Sequence, residues 1–428
     1  MAEWSFVFDQ FDAQNQGVRE ALCTLANGYI GTRGACEEAE ADGHNYPGSY
    51  IAGCYNRLTT GIANHVVENE DLVNIPNWLP LRIRVQGGDW LDVNNAEILS
   101  FEQELDLRHG FLRRKMRLAD AEGRVFRLSS RRFVHMGERH LAGIELSITP
   151  ENWSGRIEIL SALDGRVENK GVARYRDLNG KHLAPSEGFA IDGEITHLTV
   201  RTTQSSIQIA ETARTTLHRD GMRIDPDCKR IVEEGYVALH YAVEVHQGEA
   251  LRVEKIAAIY TSRDPAISEC GLASRAAIDR AGGFESLAQT HAALWESLWH
   301  WFDIVVDHVE DDNDVDGETS LILRLHLFHL LQVTPRGSLS PDVGIPARGL
   351  HGEAYRGHIF WDELFVFPTL NYRLPTATRS LLMYRYNRLA EARERARCAG
   401  LQGALYPWQS GSDGREESQA LHLNPQSG

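Results

Sequence analysis

The sequence predicts a multidomain protein of the β + α class, in which a large antiparallel β-sandwich precedes a helical part. Two patterns along the 428 residues support this prediction. Apolar and polar residues alternate from about residue 80 to 260, and apolar residues recur three and four positions apart after residue 265. We therefore expect an N-terminal β-sandwich domain over residues 1–265, a helical linker over residues 266–315 and a helical domain over residues 316–428.

The β-sandwich is predicted from short runs with one apolar and one polar face. Glycine and proline separate these runs, as is typical of antiparallel strands with one solvated face. The runs are LRIRV (81–85), RVFRL (124–128), RIEIL (156–160), SIQI (206–209) and VALHY (237–241).

Helices are predicted after residue 265 from apolar stripes on one helix face. The linker stripe consists of Phe284, Leu287, His291, Leu294, Trp295 and Leu298. Trp299, Trp301 and Phe302 extend it, and aromatic residues at this spacing are typical of a core or an interface. The acidic run EDDNDVD (310–316) indicates a solvated boundary loop. The helical domain begins with a stripe of Leu321, Leu325, Phe328 and Leu331, and residues 376–399 contain two further helical stretches that end before Gly400.

Composition excludes several classes of protein. A net charge of −16 and a pI of about 5.6 argue against nucleic acid or an anionic membrane as a partner. The N-terminus has no basic segment followed by a long apolar one, and no apolar run approaches the roughly 20 residues of a membrane span, so we expect a cytoplasmic protein. Six scattered cysteines without a C-x-x-C pair indicate reduced, mostly buried thiols. The glycines at 28, 31 and 34 match no nucleotide-binding motif, so no organic cofactor is implied. His326 and His329 lie three apart on a predicted helix but have no third ligand, so no metal is implied.

The strongest candidate for a site is the loop ARGLHGEAYRGHIFWDE (347–363). Its glycines allow tight turns or a close approach to a ligand, and its aromatic side chains lie beside two carboxylates. Aromatic faces suit the C–H faces of a sugar, and carboxylates accept hydrogen bonds from its hydroxyls. The alternative is a packed turn, with Trp361 in the core and the acids solvated.

Several motifs, in order along nearly the whole chain, resemble glycoside hydrolase family 65, which holds the maltose, trehalose and kojibiose phosphorylases. They are NGYIGTRG (27–34), PGSYIAG (47–53), LDLRHG (105–110), RGL (348–350), FWDE (360–363), YRY (384–386) and YPWQSG (406–411). The resemblance implies that the helical domain is the beginning of an (α/α)6 barrel, truncated at residue 428 because the helices that would close the ring are missing.

The resemblance also implies where a substrate binds. Trp361 and Asp362 would lie in the pocket for the non-reducing sugar, with Arg348, His351 and Trp408 as further substrate-binding candidates. No catalytic residue is predicted, since the family's general acid, a glutamate, and its phosphate-binding residues are expected beyond residue 428. We therefore expect this fragment to be inactive alone. Many family members read Trp-Asp-Thr-Glu where this chain has WDEL (361–364), which leaves the role of Glu363 open.

The implied activity is that of an inverting glycoside phosphorylase, which cleaves an α-glucosidic disaccharide with inorganic phosphate to β-glucose 1-phosphate and a free sugar. One protein acid suffices for this reaction, because phosphate is itself the nucleophile, whereas an inverting hydrolase needs an acid and a base roughly 6.5–9.5 Å apart. The first alternative is a family 65 hydrolase of the acid trehalase kind. The second is a non-catalytic carbohydrate-binding fragment. The expected partners are a disaccharide and phosphate, with a homodimer as the expected assembly.

Overall fold

A computed structural model describes residues 4–62, 65–305, 318–335 and 342–418. The acidic run 310–316 lies outside these ranges. Twenty strands and seven α-helices form within them. The strands are β1 (Ser5–Phe8), β2 (Leu25–Ala26), β3 (Ile30–Thr32), β4 (Ser49–Ile62), β5 (His65–Asn74), β6 (Leu81–Val85), β7 (Glu97–Asp106), β8 (Phe111–Ala119), β9 (Val125–Val134), β10 (Leu141–Pro150), β11 (Gly155–Asp164), β12 (Leu183–Ile191), β13 (Ile195–Thr202), β14 (Gln208–Arg219), β15 (Met222–Ile224), β16 (Cys228–Glu233), β17 (Tyr236–Val245), β18 (Leu251–Thr261), β19 (Ile359–Phe360) and β20 (Gln409–Ser410). The helices are α1 (Gln16–Leu22), α2 (Cys270–Arg280), α3 (Phe284–Phe302), α4 (Glu318–Val333), α5 (Glu363–Arg373), α6 (Pro375–Asn387) and α7 (Leu389–Cys398).

Antiparallel sheets make up the N-terminal part. A ten-stranded sheet runs in the order β1-β7-β8-β9-β10-β18-β14-β13-β12, with β15 beside β14. A four-stranded sheet, β16-β17-β11-β6, packs against it, and the apolar residues of both sheets share one core. Each of the five predicted strand runs overlaps a strand of these two sheets, so the predicted antiparallel sandwich is confirmed.

A second four-stranded sheet, β2-β3-β4-β5, contains a long hairpin that the alternation pattern did not predict. The hairpin is β4 and β5, and most residues of β4 from 49 to 56 are buried. Because both faces of that segment are covered, its sequence shows no polar face and hence no period of two. This β4–β5 hairpin contacts the segment that carries the candidate sugar site.

Helices α2 and α3 cover the outer face of the ten-stranded sheet. Phe284 and Leu287 are buried there against Phe133 and Ile256. Trp295 is only 1% exposed, and a Cβ atom on Gly110 would lie 2.0 Å from its indole nitrogen. The stripe therefore packs as predicted except at its edge, where Leu294 and Trp301 are exposed.

The helical part begins at α4, whose residues Leu325, Phe328 and Leu331 are buried as the stripe predicts. Helices α5 and α6 pack against each other, and α7 ends before Gly400, which has the left-handed backbone of a C-terminal cap. All six cysteines are free thiols, four of them buried. None of the helices in the described ranges is long and apolar enough to cross a membrane.

Candidate functional site

Two short strands bring together segments that lie about 50 residues apart in sequence. In β19 and β20, Phe360 pairs with Gln409, so that Trp361 and Trp408 lie side by side at one end of the ladder. Their ring centroids are 5.5 Å apart, with an angle of 44° between the planes. Trp361 is 42% exposed and Trp408 57% exposed. The two indoles therefore form an open aromatic surface, which we call the tryptophan pair, and Trp361 is not a core residue.

Asp362 follows the tryptophan pair directly, at the start of α5. Its side chain is exposed and makes no capping hydrogen bond to the helix. Among the residues that the structure describes, the carboxylate has neither a hydrogen-bond partner nor an ion-pair partner. It is therefore free to accept hydrogen bonds from a ligand that lies on the indoles.

Further aromatic side chains adjoin the tryptophan pair. The ring of Phe365, 69% exposed, lies 5.2 Å from that of Trp361 in an edge-to-face arrangement. On the other side of Trp361 in the sequence, Phe360 contacts Tyr355 at a centroid distance of 5.2 Å. Arg348 is exposed, with its guanidinium carbon 5.7 Å from the centroid of Tyr355. Arg348 thus lies beside Tyr355, and its predicted role as a substrate ligand stays a prediction. The sequence analysis did not single out Tyr355 and Phe365.

His351 lies elsewhere, at the junction with the N-terminal domain. Its ring centroid is 4.4 Å from that of His329, and its main-chain oxygen accepts a hydrogen bond from Arg33 at 2.7 Å. Burial lowers the pKa of His351 to about 4, so the ring is neutral at pH 7. These contacts do not bring His351 to the tryptophan pair, and its predicted role as a substrate ligand stays a prediction that the geometry does not favour.

Glu363 has a structural position. Its carboxylate, 4% exposed, accepts a hydrogen bond from the backbone N–H of Ile345 at 2.8 Å and lies 3.6 Å from Arg385. Burial raises the pKa of Glu363. The side chain is turned away from solvent and holds the loop before the tryptophan pair in place, which answers the question that the sequence left open.

The YRY motif holds both segments of the site. The hydroxyl of Tyr384 donates to the main-chain oxygen of Gly411 at 2.5 Å, and Arg385 donates to the main-chain oxygen of Phe360 at 3.3 Å. Glu416 accepts a hydrogen bond from the backbone N–H of Trp408 at 2.9 Å and pairs with Arg395 at 3.0 Å. Helices α6 and α7 therefore fix the backbone on either side of the tryptophan pair.

Three carboxylates close to the site could be mistaken for a metal centre. Oxygens of Glu70, Asp413 and Glu417 lie within 4.8 Å of one another. Arg57 already pairs with all three, at 3.4, 3.5 and 2.9 Å respectively. Arg415 also pairs with Glu417, at 3.1 Å. Since two arginines already pair with these carboxylates, the cluster is an ion-pair network, and we do not assign a metal ion to it.

Comparison with known proteins agrees with the motifs. The chain matches the N-terminal domain of glycosyl hydrolase family 65 over residues 6–298 and the central catalytic domain of the same family over residues 324–428. A solved structure named "Putative kojibiose phosphorylase from human microbiome" has the same fold, with a TM-score of 0.83 at 22% identity, over 97% of this chain and 53% of that chain.

Curated relatives include both an uncharacterized protein and phosphorylases. An uncharacterized glycosyl hydrolase of Mycobacterium tuberculosis is 45% identical over 99% of this chain and 31% of its own length. Kojibiose phosphorylase of Caldanaerobacter subterraneus is 34% identical, and trehalose 6-phosphate phosphorylase of Lactococcus lactis is 31% identical, each over 97% of this chain and 52% of the relative. The chain therefore spans between about a third and about half of the length of these relatives.

Proposed function

The chain belongs to glycosyl hydrolase family 65, and we propose that the whole protein is an inverting disaccharide phosphorylase. It would cleave an α-glucosidic disaccharide of the maltose, trehalose or kojibiose type with inorganic phosphate. Relatives that are kojibiose and trehalose 6-phosphate phosphorylases support this reaction class. The proposal concerns the whole protein because the chain spans only part of those relatives.

The observation that carries the proposal is the tryptophan pair with Asp362 beside it. Two exposed indoles in contact offer an apolar surface for the C–H face of a glucosyl ring. The carboxylate of Asp362, which has no partner in the described structure, would accept hydrogen bonds from the sugar hydroxyls. In this role Asp362 binds the substrate and does not transfer a proton.

In the proposed reaction, a phosphate oxygen attacks the anomeric carbon from the face opposite the leaving sugar. The bond between the anomeric carbon and the glycosidic oxygen breaks, and a protein acid protonates that oxygen. The products are β-glucose 1-phosphate and a free sugar. The family resemblance implies a glutamate as the acid, and the segments around Trp361 and Trp408 would supply the sugar-binding surface.

Three finer expectations belong to the same proposal. We propose that α4 to α7 form the first part of an (α/α)6 barrel, that the protein is a cytoplasmic homodimer, and that phosphate is the second substrate. The comparisons do not support the expectation that the 428 residues are inactive alone, because both family domains match within them.

The alternative is a hydrolase of the acid trehalase kind, since the 45% identical relative is an uncharacterized glycosyl hydrolase whose name specifies no phosphorylase activity. The test is to incubate the whole protein with maltose, trehalose and kojibiose, each with and without phosphate, and to measure glucose and glucose 1-phosphate. Phosphate-dependent glucose 1-phosphate supports the proposal, whereas glucose release that ignores phosphate supports the hydrolase. The same assay on the 428 residues decides whether they turn over alone. Calorimetric binding of glucose without turnover by the whole protein would identify a carbohydrate-binding protein instead.

A further inference from the structure

We propose that Glu70 of the N-terminal domain is a positioning residue of the sugar site, which fixes the relative places of the two loops that carry Trp361 and Trp408. The inference rests on the proposed function, since it assumes that a sugar lies on the tryptophan pair. It assigns to the β4–β5 hairpin a part in substrate binding that no motif of the sequence indicates.

Glu70 contacts both loops at once. Its main-chain oxygen accepts a hydrogen bond from Nε2 of the buried His358, 2.8 Å away and three residues before Trp361. Its carboxylate accepts from the backbone N–H of Ser412 at 3.0 Å and from the Ser412 hydroxyl at 2.5 Å, four residues after Trp408. One residue on β5 therefore holds the entry of one loop and the exit of the other.

Close packing around Glu70 leaves the loops little freedom. A Cβ atom on Gly411 would lie 1.9 Å from the Glu70 carboxylate, and one on Gly357 would lie 2.4 Å from Cβ of Leu72. Both glycines thus allow an approach that any side chain would prevent. The Tyr55 hydroxyl, on β4, also donates to the main-chain oxygen of Gly357 at 2.6 Å. The hairpin and the two loops therefore fit together in one arrangement.

The charge of Glu70 is compensated on the hairpin itself. Glu70 is 3% exposed, and Arg57, which also pairs with Glu68, Asp413 and Glu417, lies 3.4 Å from its carboxylate. A buried carboxylate is costly unless it is paired and hydrogen-bonded, and Arg57 together with the two Ser412 donors meets this requirement. Replacing Glu70 by glutamine would remove one of the carboxylates that pair with Arg57. The side-chain amide of the glutamine would also accept hydrogen bonds from Ser412 less strongly than the carboxylate does.

Sugar binding depends on this arrangement because both indoles must face one ring. A displacement of about 1 Å in a positioned group is enough to reduce catalysis strongly. Loosening the contact between Glu70 and Ser412 would let the loop of Trp408 move relative to that of Trp361. The expected consequence is weaker sugar binding in a protein that remains folded, since the other contacts of the hairpin persist.

The experiment compares Glu70→Gln with Glu102→Gln in the whole protein. Glu102 lies on β7, its side chain is 48% exposed and it pairs with Lys115 at 2.8 Å, so the control carries the same change of charge without a contact to either loop in the described structure. Dissociation constants for glucose and kojibiose are measured by calorimetry, and melting temperatures by scanning calorimetry. We expect Glu70→Gln to weaken binding about tenfold, because the two indoles no longer face one sugar ring, and Glu102→Gln to bind as the wild type does.

A second variant, Ser412→Ala, removes only the hydroxyl donor. Since Glu70 and Ser412 act through one contact, we expect the effects of Glu70→Gln and Ser412→Ala on sugar affinity to be less than additive in the double variant. Additive effects, or wild-type affinity in both folded single variants, would overturn the proposal. If Glu70→Gln does not fold, Ser412→Ala alone decides: weakened binding supports the proposal and unchanged binding overturns it. A wild-type protein that binds neither sugar would instead refute the proposed function, so the two failures are distinguishable.

Discussion

Replacing Trp361 by phenylalanine separates a role in sugar binding from a role in folding. The indole is 42% exposed and touches the rings of Trp408 and Phe365. Aromatic pairs contribute roughly 0.5–1.5 kcal/mol each, and a phenyl ring keeps part of both contacts, so we expect a loss of stability below about 1 kcal/mol. The smaller ring leaves roughly 40 Å² of a stacked sugar uncovered, which at about 25 cal/mol per Å² amounts to about 1 kcal/mol.

The expected result is therefore a dissociation constant for glucose about fivefold higher, with a melting temperature within about 3 °C of the wild type. Trp299→Phe is the matched control, because Trp299 is 4% exposed and its indole nitrogen donates to the main-chain oxygen of Leu107 at 2.7 Å. That change leaves a buried carbonyl without its partner and should cost about 1–3 kcal/mol of stability, with no effect on sugar affinity. Calorimetric titration and thermal unfolding of both variants provide the data. A Trp361→Phe protein that melts early and binds glucose normally would refute the assignment.

Two further changes test single carboxyl groups. Asp362→Asn should lower kcat/KM more than about tenfold, because a hydrogen bond to a charged group contributes about 1.5–3 kcal/mol. The melting temperature should stay unchanged, since the carboxylate has no protein partner in the described structure. Near-normal kinetics would exclude Asp362 as a sugar ligand. Glu353, in the loop before the tryptophan pair, is buried, and its carboxyl group accepts a hydrogen bond from the backbone N–H of Gly171 at 2.9 Å. Burial raises the pKa of Glu353 to about 7 from 4.5, so its protonated form stabilises the fold below pH 4.5 and that contribution is lost as the pH rises through 7. Denaturant titrations of the wild type and of Glu353→Gln measure the difference between their unfolding free energies. This difference, wild type minus variant, should decrease as the pH is raised from 4.5 to 7, and a difference that does not change with pH would contradict this account.

The sequence was most informative where one face of a segment is solvated. The run Leu81–Val85 has the bounds of strand β6, and its alternation matches its alternating burial. The stripe of α4 was found for the same reason, because three of its four residues point into the core. The β4–β5 hairpin was missed, since most of residues 49–56 are buried and show no alternation.

The candidate site was predictable in part. Motifs mark Trp361, Asp362 and Trp408 as candidates, and the structure brings the two indoles together, while their role in sugar binding stays a prediction. Composition could not distinguish the two neighbouring acids, of which Glu363 is buried and binds Ile345 while Asp362 faces solvent. Their side chains point in different directions because α5 begins between them, and the sequence did not predict where that helix begins.

Long-range contacts decide the remaining positions. His351 binds Arg33, 318 residues away, and His358 binds Glu70, 288 residues away. No local pattern encodes contacts over such separations, so these contacts between the N-terminal domain and the loop 347–363 emerged only from the structure.

The most direct test of the proposed reaction is the nuclear magnetic resonance spectrum of the sugar phosphate that the whole protein forms from kojibiose, trehalose or maltose in phosphate buffer. An inverting phosphorylase with the glucosyl ring on the tryptophan pair forms β-glucose 1-phosphate from an α-linked disaccharide, so the first product signal should be that of the β anomer. Formation of α-glucose 1-phosphate, or of glucose with no sugar phosphate at any phosphate concentration, would contradict the account.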